Sequence, residues 1–271
     1  MRIHVLQVAY GDDEPVGERV ARVAALVEAQ SGADLVVLPE LWAAGGFAYR
    51  RWEERAEPVA GPTVTAIAAA ARRVGAVVHA GSILECAAAG DDRGPEGRGR
   101  WNTSVLLGPD GQILATYRKI HRFGFGQGEP AILEAGADVV TARLPAGGDH
   151  AVAGLATCYD LRFPELFRRL LDAGARLVLV PAAWPAARVG AWTLLGRARA
   201  VENQSVVVQC NTAGTHAGVT MGGRSQVVDA TGEVLAEAGD GEEVLVVDVD
   251  LDAVDAWRTA FPVLADRRLT S

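Results

Sequence analysis

The sequence predicts an α/β protein in which two β-sheets pack face to face between two outer layers of helices. Apolar, β-branched segments alternate with amphipathic helical ones along the 271 residues, and the second half repeats the order of the first. The segment ADLVVLPE at 33–40 resembles ARLVLVPA at 175–182. Two β-α-β-α-β-β halves whose sheets bury each other form a four-layer α-β-β-α sandwich. Because no linker divides the halves, we predict one domain over residues 1–271.

The first half contains two helices and ends in a hairpin. Valines recur at positions 16, 20, 23 and 27 with charged residues between them, which predicts an amphipathic helix over Val16–Gln30. A second helix is predicted over Thr63–Val74, and Asp110-Gly111 suits a tight hairpin turn. Strands are predicted where apolar residues run almost without interruption, as in strands covered on both faces: Ile3–Val8, Asp34–Pro39, Ala76–Ile83, Ser104–Leu107 and Ile113–Tyr117.

The second half follows the same order of elements. Helices are predicted over Pro164–Ala173, where a proline suits the first turn, and over Ala191–Asn203. Thr231-Gly232 provides the turn of the second hairpin. The strands predicted in this half are Val152–Thr157, Leu177–Pro181, Ser205–Cys210, Ser225–Val228, Val234–Glu237 and Val244–Val249.

The composition argues against a nucleic-acid or membrane partner. The net charge is −8, whereas nucleic-acid affinity rests mainly on Lys and Arg that neutralise phosphates. No apolar run reaches the ~20 residues that span a bilayer, and the first residues are typical of a strand rather than a signal peptide. Three scattered cysteines do not form a disulfide framework. We therefore predict a cytoplasmic protein.

Three residues of chemical interest fall at predicted strand ends. Cys158 lies between a strand and a helix, where backbone N–H groups favour a thiolate. Glu40 follows four apolar residues, and burial would make its carboxylate a better base near neutral pH. Lys119 is the single lysine among 26 basic residues and follows the first hairpin. The alternative is an ordinary role for each: a buried structural thiol, a solvated carboxylate and a chance surface ammonium.

Other common chemistries lack a motif in this sequence. None of the five histidines forms a recurring Cys–His pattern, and there is no CxxC, HExxH or close His/Cys cluster. The glycine clusters do not match a dinucleotide or phosphate-binding loop. We therefore predict no metal and no cofactor. A carboxylate can activate a thiol where no histidine does, and an ammonium can stabilise an oxyanion.

These residues lie in segments that resemble the carbon–nitrogen hydrolase (nitrilase) superfamily. Three blocks carry the resemblance: Pro39-Glu40, YRKIH at 117–121 and CYDLRFPE at 158–165. Four further segments agree in order along the chain, namely AEPVAGPT at 56–63, PAAWP at 181–185, RARAVENQ at 197–204 and FPVLADRR at 261–268. The resemblance covers nearly the whole chain and implies an α-β-β-α sandwich.

The resemblance also implies a role for each residue at the site. Cys158 would be the nucleophile, Glu40 the general base and Lys119 the stabiliser of the oxyanion. Glu129, which precedes Ala135-Gly136 at the family's distance, would orient Lys119 and the substrate. The backbone N–H of Tyr159 would complete the oxyanion hole. No cofactor is implied, and a homodimer or larger homo-oligomer is expected.

The substrate is expected to be a small amide. The block CYDLRFPE is more similar to the amidase branch, including omega-amidase-like enzymes, than to true nitrilases. Trp184 and Arg122 are further candidates for substrate binding, and Arg122 or Arg188 could pair with a carboxylate of the substrate. The family often has Leu at the position of Arg122 and His at the position of Ala191, which precedes Trp192. Because of these two differences, the resemblance does not specify the substrate more closely.

Four other functions stay open at this point. A nitrile hydrolase or an acyltransferase would use the same thioester, and product analysis separates them from an amidase. A catalytically silent binding protein would have an inert Cys158 thiol. A metal-dependent amidohydrolase would lose activity in the presence of a chelator.

Overall fold

Two six-stranded sheets pack face to face in the structure and confirm the predicted sandwich. The structure is a computed structural model that describes residues 1–88, 90–145 and 151–269. The strands of the two sheets are β1 (Arg2–Gln7), β2 (Leu35–Val37), β3 (Val77–Cys86), β4 (Arg100–Leu107), β5 (Ile113–Arg118), β6 (Thr141–Arg143), β7 (Val152–Leu155), β8 (Leu177–Ala182), β9 (Val206–Asn211), β12 (Gln226–Val228), β13 (Val234–Glu237) and β14 (Glu243–Asp248). The first sheet has the strand order β14-β1-β2-β3-β4-β5, and the second has the order β13-β12-β9-β8-β7-β6.

The two sheets have matching topologies. Strands β1, β2 and β3 run parallel in the first sheet, as β7, β8 and β9 do in the second. Each parallel set continues into an antiparallel hairpin, β4-β5 in one sheet and β12-β13 in the other. An antiparallel strand closes the other edge, where β14 pairs with β1 and β6 pairs with β7. The last strand of the chain therefore completes the sheet of the first half.

The core between the sheets follows from the alternation of side chains along each strand. In β2, Leu35 and Val37 point toward the second sheet, while Val36 points to the outer face. Leu177 and Leu179 of β8 meet them in the same inner cluster. All five side chains are fully buried, so the near-continuous apolar runs reflect strands covered on both sides.

Helices cover the outer face of each sheet. Val23 and Ile67 pack two helices against the first sheet, and Phe167 and Leu170 pack a third against the second. Two helices begin with a proline, whose missing N–H costs nothing in a first turn. The helices are α1 (Val16–Glu28), α2 (Trp52–Arg55), α3 (Pro62–Val74), α4 (Glu129–Ile132), α5 (Pro164–Asp172), α6 (Val189–Asn203) and α7 (Asp252–Ala260).

Some elements differ from the sequence-based prediction. Helix α7 was not predicted, because it is short and only Val254 and Trp257 of its residues pack against the core. Strand β4 begins at Arg100, four residues before the predicted start. Short elements also escaped prediction: α2, α4, β6 and the hairpin of β10 (Thr215–His216) and β11 (Val219–Thr220).

Two glycines allow close contacts between backbone segments near the ends of β2 and β5, the strands that precede Glu40 and Lys119. Gly81 has a φ of +71° in the bulge of β3, and a Cβ there would lie 1.9 Å from the carbonyl oxygen of Pro39. A Cβ on Gly136 would lie 1.9 Å from the carbonyl oxygen of Arg118. These close contacts fix the backbone directly before Glu40 and Lys119.

Candidate active site

Three strand ends bring the predicted chemical groups to one cavity. Glu40 lies three residues after β2, Lys119 directly after β5, and Cys158 three residues after β7. Their side chains line the same cavity, whose free space including the mouth is about 400 Å³. A cavity of this size suits a small molecule. The structure therefore brings together residues that are 39 to 118 positions apart in sequence.

Glu40 and Lys119 form a buried ion pair. The Nζ atom of Lys119 lies 2.7 Å from Oε1 of Glu40, and both side chains are at most 4% exposed. The other oxygen of Glu40, Oε2, accepts a hydrogen bond of 2.8 Å from the backbone N–H of Ala183. Both oxygens of this carboxylate are therefore held in place by donors from two different strand ends.

A second buried carboxylate binds the same ammonium. Oε2 of Glu129 lies 2.9 Å from Nζ of Lys119, and the carboxylate also accepts a hydrogen bond from the backbone N–H of Phe123. Asn102 of β4 donates through Nδ2 to Oε1 of Glu40 and to Oε1 of Glu129, each at 2.8 Å. One lysine and one amide thus hold two glutamates side by side.

Cys158 lies in a sharp turn with unusual backbone geometry. Its φ is +47°, which non-glycine residues rarely adopt, and it begins the 3-10 helix Cys158–Arg162. A capping box supports the turn, in which Thr157 and Asp160 bond to each other's backbone N–H groups. Such local strain persists only where the surroundings hold it.

Asp160 connects this turn to the strand end that carries Lys119. The buried carboxylate accepts hydrogen bonds from the hydroxyl of Tyr117 at 2.7 Å and from the backbone N–H of Thr157 at 2.8 Å. It also bonds to the His121 backbone N–H at 3.0 Å and to His121 Nδ1 at 2.7 Å. Tyr117 and His121 flank Lys119, so one carboxylate ties the cysteine segment to the lysine segment.

The charges of the cavity determine the resting state of the thiol. Burial and the negative charge of Glu40 raise the pKa of Cys158 well above its ordinary value, against the opposing effect of Lys119. Burial lowers the pKa of Lys119, but the attraction of Glu129 and Glu40 outweighs it and raises that pKa well above its ordinary value. Burial also raises the pKa of Glu129. The thiol is therefore protonated at neutral pH and needs a base before it can attack.

The structure places most of the other predicted residues at the cavity, and one outside it. Tyr159 and Trp184 line the cavity, and the indole N–H of Trp184 donates to the backbone oxygen of Arg188. Arg122 does not line it: Nη1 of Arg122 lies 2.6 Å from the backbone oxygen of Leu133 and 2.7 Å from Glu96. The expectation that Arg122 contacts the substrate therefore does not fit this geometry, because its guanidinium is already bound elsewhere.

Several residues of the cavity were not found from the sequence. Arg162 places a second guanidinium group on the wall beside that of Arg188, which the sequence analysis had already named as a possible partner of a substrate carboxylate. Aromatic side chains form another part of the wall, namely Phe47, Tyr49 and Phe123. Asn102, which is not part of the wall but bonds to Glu40 and Glu129, was also missed, since an asparagine inside a strand carries no motif. Arg162 belongs to the CYDLRFPE block, and its spacing of four residues from Cys158 was an available signal.

Within residues 1–88, 90–145 and 151–269, no group of three or more His, Cys, Asp or Glu side chains could hold a metal ion. No helix in this part of the chain is long and apolar enough to cross a bilayer.

Comparison with known proteins identifies the family. A family model described as carbon-nitrogen hydrolase matches residues 2–259. The 2-oxoglutaramate amidase of Paenarthrobacter nicotinovorans is 44% identical over 268 residues, which cover 98% of this chain and 89% of that protein. The omega-amidase NIT2 of Xenopus tropicalis is 31% identical over 261 residues, covering 93% of this chain and 90% of the relative.

A solved structure supports the same assignment. The structure of XC1258 from Xanthomonas campestris, described as a CN-hydrolase superfamily protein, matches with a TM-score of 0.87 and 31% identity. The match covers 100% of this chain and 98% of that one. Family model, sequence relatives and fold agree over almost the full length. The chain therefore belongs to the carbon–nitrogen hydrolase family of the nitrilase superfamily and is an enzyme of that family.

Proposed function

We propose that this enzyme is an amidase that hydrolyses the terminal amide of a small carboxylate-bearing substrate through a thioester on Cys158. The observation that carries the proposal is the buried cluster of Cys158, Glu40 and Lys119 around one cavity. The chemical class of the substrate rests on the cavity's cations and on the names of the relatives. The cations favour a carboxylate on the substrate, and the names of two relatives suggest 2-oxoglutaramate, an amide with a carboxylate at its other end.

In the acylation step, Glu40 takes the proton of the Cys158 thiol and the sulfur attacks the amide carbon. The carbonyl oxygen becomes an oxyanion, which Lys119 and the backbone N–H of Tyr159 stabilise. Glu40 then gives its proton to the amide nitrogen, the carbon–nitrogen bond breaks, and ammonia leaves. Glu129 holds Lys119 in position through their ion pair of 2.9 Å.

In the deacylation step, water attacks the thioester. Glu40 takes one proton from the water as its oxygen bonds to the acyl carbon, and the proton then passes to the sulfur as it departs. The products are a carboxylic acid and the free thiol. A single carboxylate can serve both half-reactions because each returns it to its ionised state.

The two guanidinium groups of the cavity support a carboxylate on the substrate. Arg162 and Arg188 are exposed, and within the described residues neither forms an ion pair with an acidic side chain. Arg188 lies over the ring of Phe123 at 5.3 Å, and Arg162 lies over the ring of Trp184 at 4.9 Å. Guanidinium groups bind carboxylates with paired hydrogen bonds, so they are suited to the end of the substrate away from the amide.

Ammonia release from matched compounds tests this proposal. We expect turnover of 2-oxoglutaramate and weaker turnover of pentanamide, which has the same number of carbons and no carboxylate. Arg188→Gln should raise the KM for 2-oxoglutaramate about tenfold and leave pentanamide nearly unchanged, since a charge-assisted hydrogen bond contributes roughly 1.5–3 kcal/mol. Arg122→Gln is the control and should leave the ratio of the two substrates unchanged.

Other results would select a different function. Faster turnover of the matching nitrile would favour a nitrile hydrolase, and preferred transfer of the acyl group to added hydroxylamine would favour an acyltransferase. No product with any compound, together with a Cys158 thiol inert to alkylation, would favour a silent binding protein. Equal KM values for 2-oxoglutaramate and pentanamide would contradict carboxylate recognition.

Self-association stays a prediction of the family resemblance. Leu194 and Val201 of α6 are 66% and 51% exposed, which leaves apolar surface available for a second copy. Light scattering of the purified protein would give the oligomeric state directly.

A further inference from the structure

We propose that Asn102 is a positioning residue that holds the Glu40 and Glu129 carboxylates in register with Lys119. This inference rests on the proposed roles of these three groups. Asn102 lies on β4 behind the cavity, is 3% exposed, and is absent from the cavity wall. It acts through other side chains and does not contact the reacting atoms.

The first argument is the geometry of a closed ring of hydrogen bonds. Nδ2 of Asn102 donates to Oε1 of Glu40 and to Oε1 of Glu129, both at 2.8 Å. Nζ of Lys119 reaches the same two oxygens at 2.7 and 3.0 Å. One neutral and one charged donor therefore hold the same pair of acceptors. The backbone oxygen of Asn102 also accepts the Lys119 N–H at 2.8 Å, which fixes both donors to each other.

The second argument is that this arrangement lowers the stability of the folded protein. The buried Oδ1 of Asn102 has no hydrogen-bond partner among the residues that the structure describes. An unpaired buried polar atom costs roughly 1–3 kcal/mol, which an apolar side chain at this position would avoid. The asparagine is therefore placed for its donor atoms and not for the stability of β4.

The third argument is electrostatic. Glu40 and Glu129 share one lysine, so the buried set of three carries an excess negative charge. Asn102 supplies a second donor without adding charge, and its hydrogen bond lowers the pKa of Glu129, which burial raises. The other groups facing this set are Cys158, across the cavity, and Tyr49, whose pKa is raised by burial and by Glu129. Without Asn102, the pKa of Glu129 would be higher, and this carboxylate would take up a proton at higher pH.

Two substitutions and a control test this role. Asn102→Leu has a similar volume and no donor, while Asn102→Asp has the same shape and adds an acid. The control is Thr103→Val on the same strand, which removes a buried hydrogen bond to Glu85 without touching the glutamates of the cavity. The readouts are kcat, KM, the pH dependence of kcat/KM, thermal stability and the rate at which iodoacetamide alkylates Cys158.

We expect Asn102→Leu to lower kcat by about tenfold to a hundredfold with KM changed less than threefold, since small misplacements of catalytic groups have effects of this size. The acid limb of its pH profile should move to higher pH. Asn102→Asp should lose more activity at pH 8 and recover part of it at pH 6, where a protonated Asp regains a donor. Thr103→Val should lose stability and keep the wild-type pH profile.

A kcat within twofold of wild type, or an acid limb that does not move, would overturn the proposal. If Asn102→Leu fails to fold, the recovery of Asn102→Asp toward low pH decides the question alone. If the wild-type enzyme cleaves no amide, the proposed function fails, but alkylation of Cys158 still tests the positioning role. Its pH dependence should shift upward in Asn102→Leu, and an unchanged profile would contradict the role.

Discussion

Replacing Lys119 by methionine should affect stability and chemistry in different ways. The ammonium forms ion pairs of 2.7 Å with Glu40 and 2.9 Å with Glu129, and all three side chains are at most 4% exposed. Methionine keeps most of the length of the side chain and removes the charge. Because the two buried carboxylates lose the cation that they share, we expect Lys119→Met to cost about 3–5 kcal/mol of unfolding free energy near pH 8.

The pH dependence of this loss has a definite sign. Burial raises the pKa of Glu129, and Lys119 opposes this effect. Removing Lys119 therefore raises the pKa of Glu129 further. A carboxyl group whose folded pKa exceeds the unfolded value loses stability as pH rises, because the unfolded state releases the proton more easily. The penalty of Lys119→Met should therefore be smaller at pH 5 than at pH 8.

Urea denaturation of wild type and Lys119→Met at pH 5 and pH 8 measures this difference. The double variant Lys119→Met/Glu129→Gln is the control, since removing one carboxylate should restore about half of the loss at pH 8. Amide hydrolysis should fall about 10²–10³-fold in both variants, as it does when an oxyanion donor is removed. Equal penalties at the two pH values, or a double variant no more stable than the single one, would refute the reasoning.

Two more predictions concern groups outside the cavity. Asp160→Asn should lower kcat at least tenfold and lower the unfolding free energy by about 1–3 kcal/mol, because the buried group that accepts from Tyr117 and Thr157 becomes partly a donor. Steady-state kinetics and a thermal melt measure the two effects. A kcat equal to that of wild type would contradict the prediction. Burial lowers the pKa of His79 to about 4, so the folded state resists a proton that the unfolded state accepts below pH 6.5. As the pH falls from 7 to 4.5, His79 should therefore lower the unfolding free energy by about 2 kcal/mol. Denaturation of His79→Gln should show an unfolding free energy that depends less on pH over the same range.

The sequence contains enough information to predict the layers and the strand ends that carry the reactive groups. Glu40 and Cys158 each lie three residues after a buried apolar strand, one in each sheet, and the carboxyl ends of parallel strands are where such sheets bind ligands. The repeat of the two halves predicts the two sheets, because each half buries the other. These features depend on local pattern and order, which a single sequence displays.

Other features depend on contacts that no local pattern shows. Asn102 is a polar residue in a buried strand, and only the positions of Glu40 and Glu129 reveal what its amide does. Arg122 lies three residues after Lys119, yet its side chain turns to Glu96 and the backbone of Leu133. The direction of a side chain after a strand end is set by the tertiary partners it finds, and these partners lie far away in sequence.

The central claim is that Cys158 carries the acyl group during amide cleavage. Mass spectrometry of enzyme mixed with 2-oxoglutaramate and quenched rapidly in acid tests this claim most directly. We predict an adduct equal to the substrate mass minus ammonia on the peptide that contains Cys158, and neither adduct nor turnover in Cys158→Ala. Ammonia release by Cys158→Ala at a rate near that of wild type, with no adduct on Cys158 in the wild-type enzyme, would contradict the mechanism.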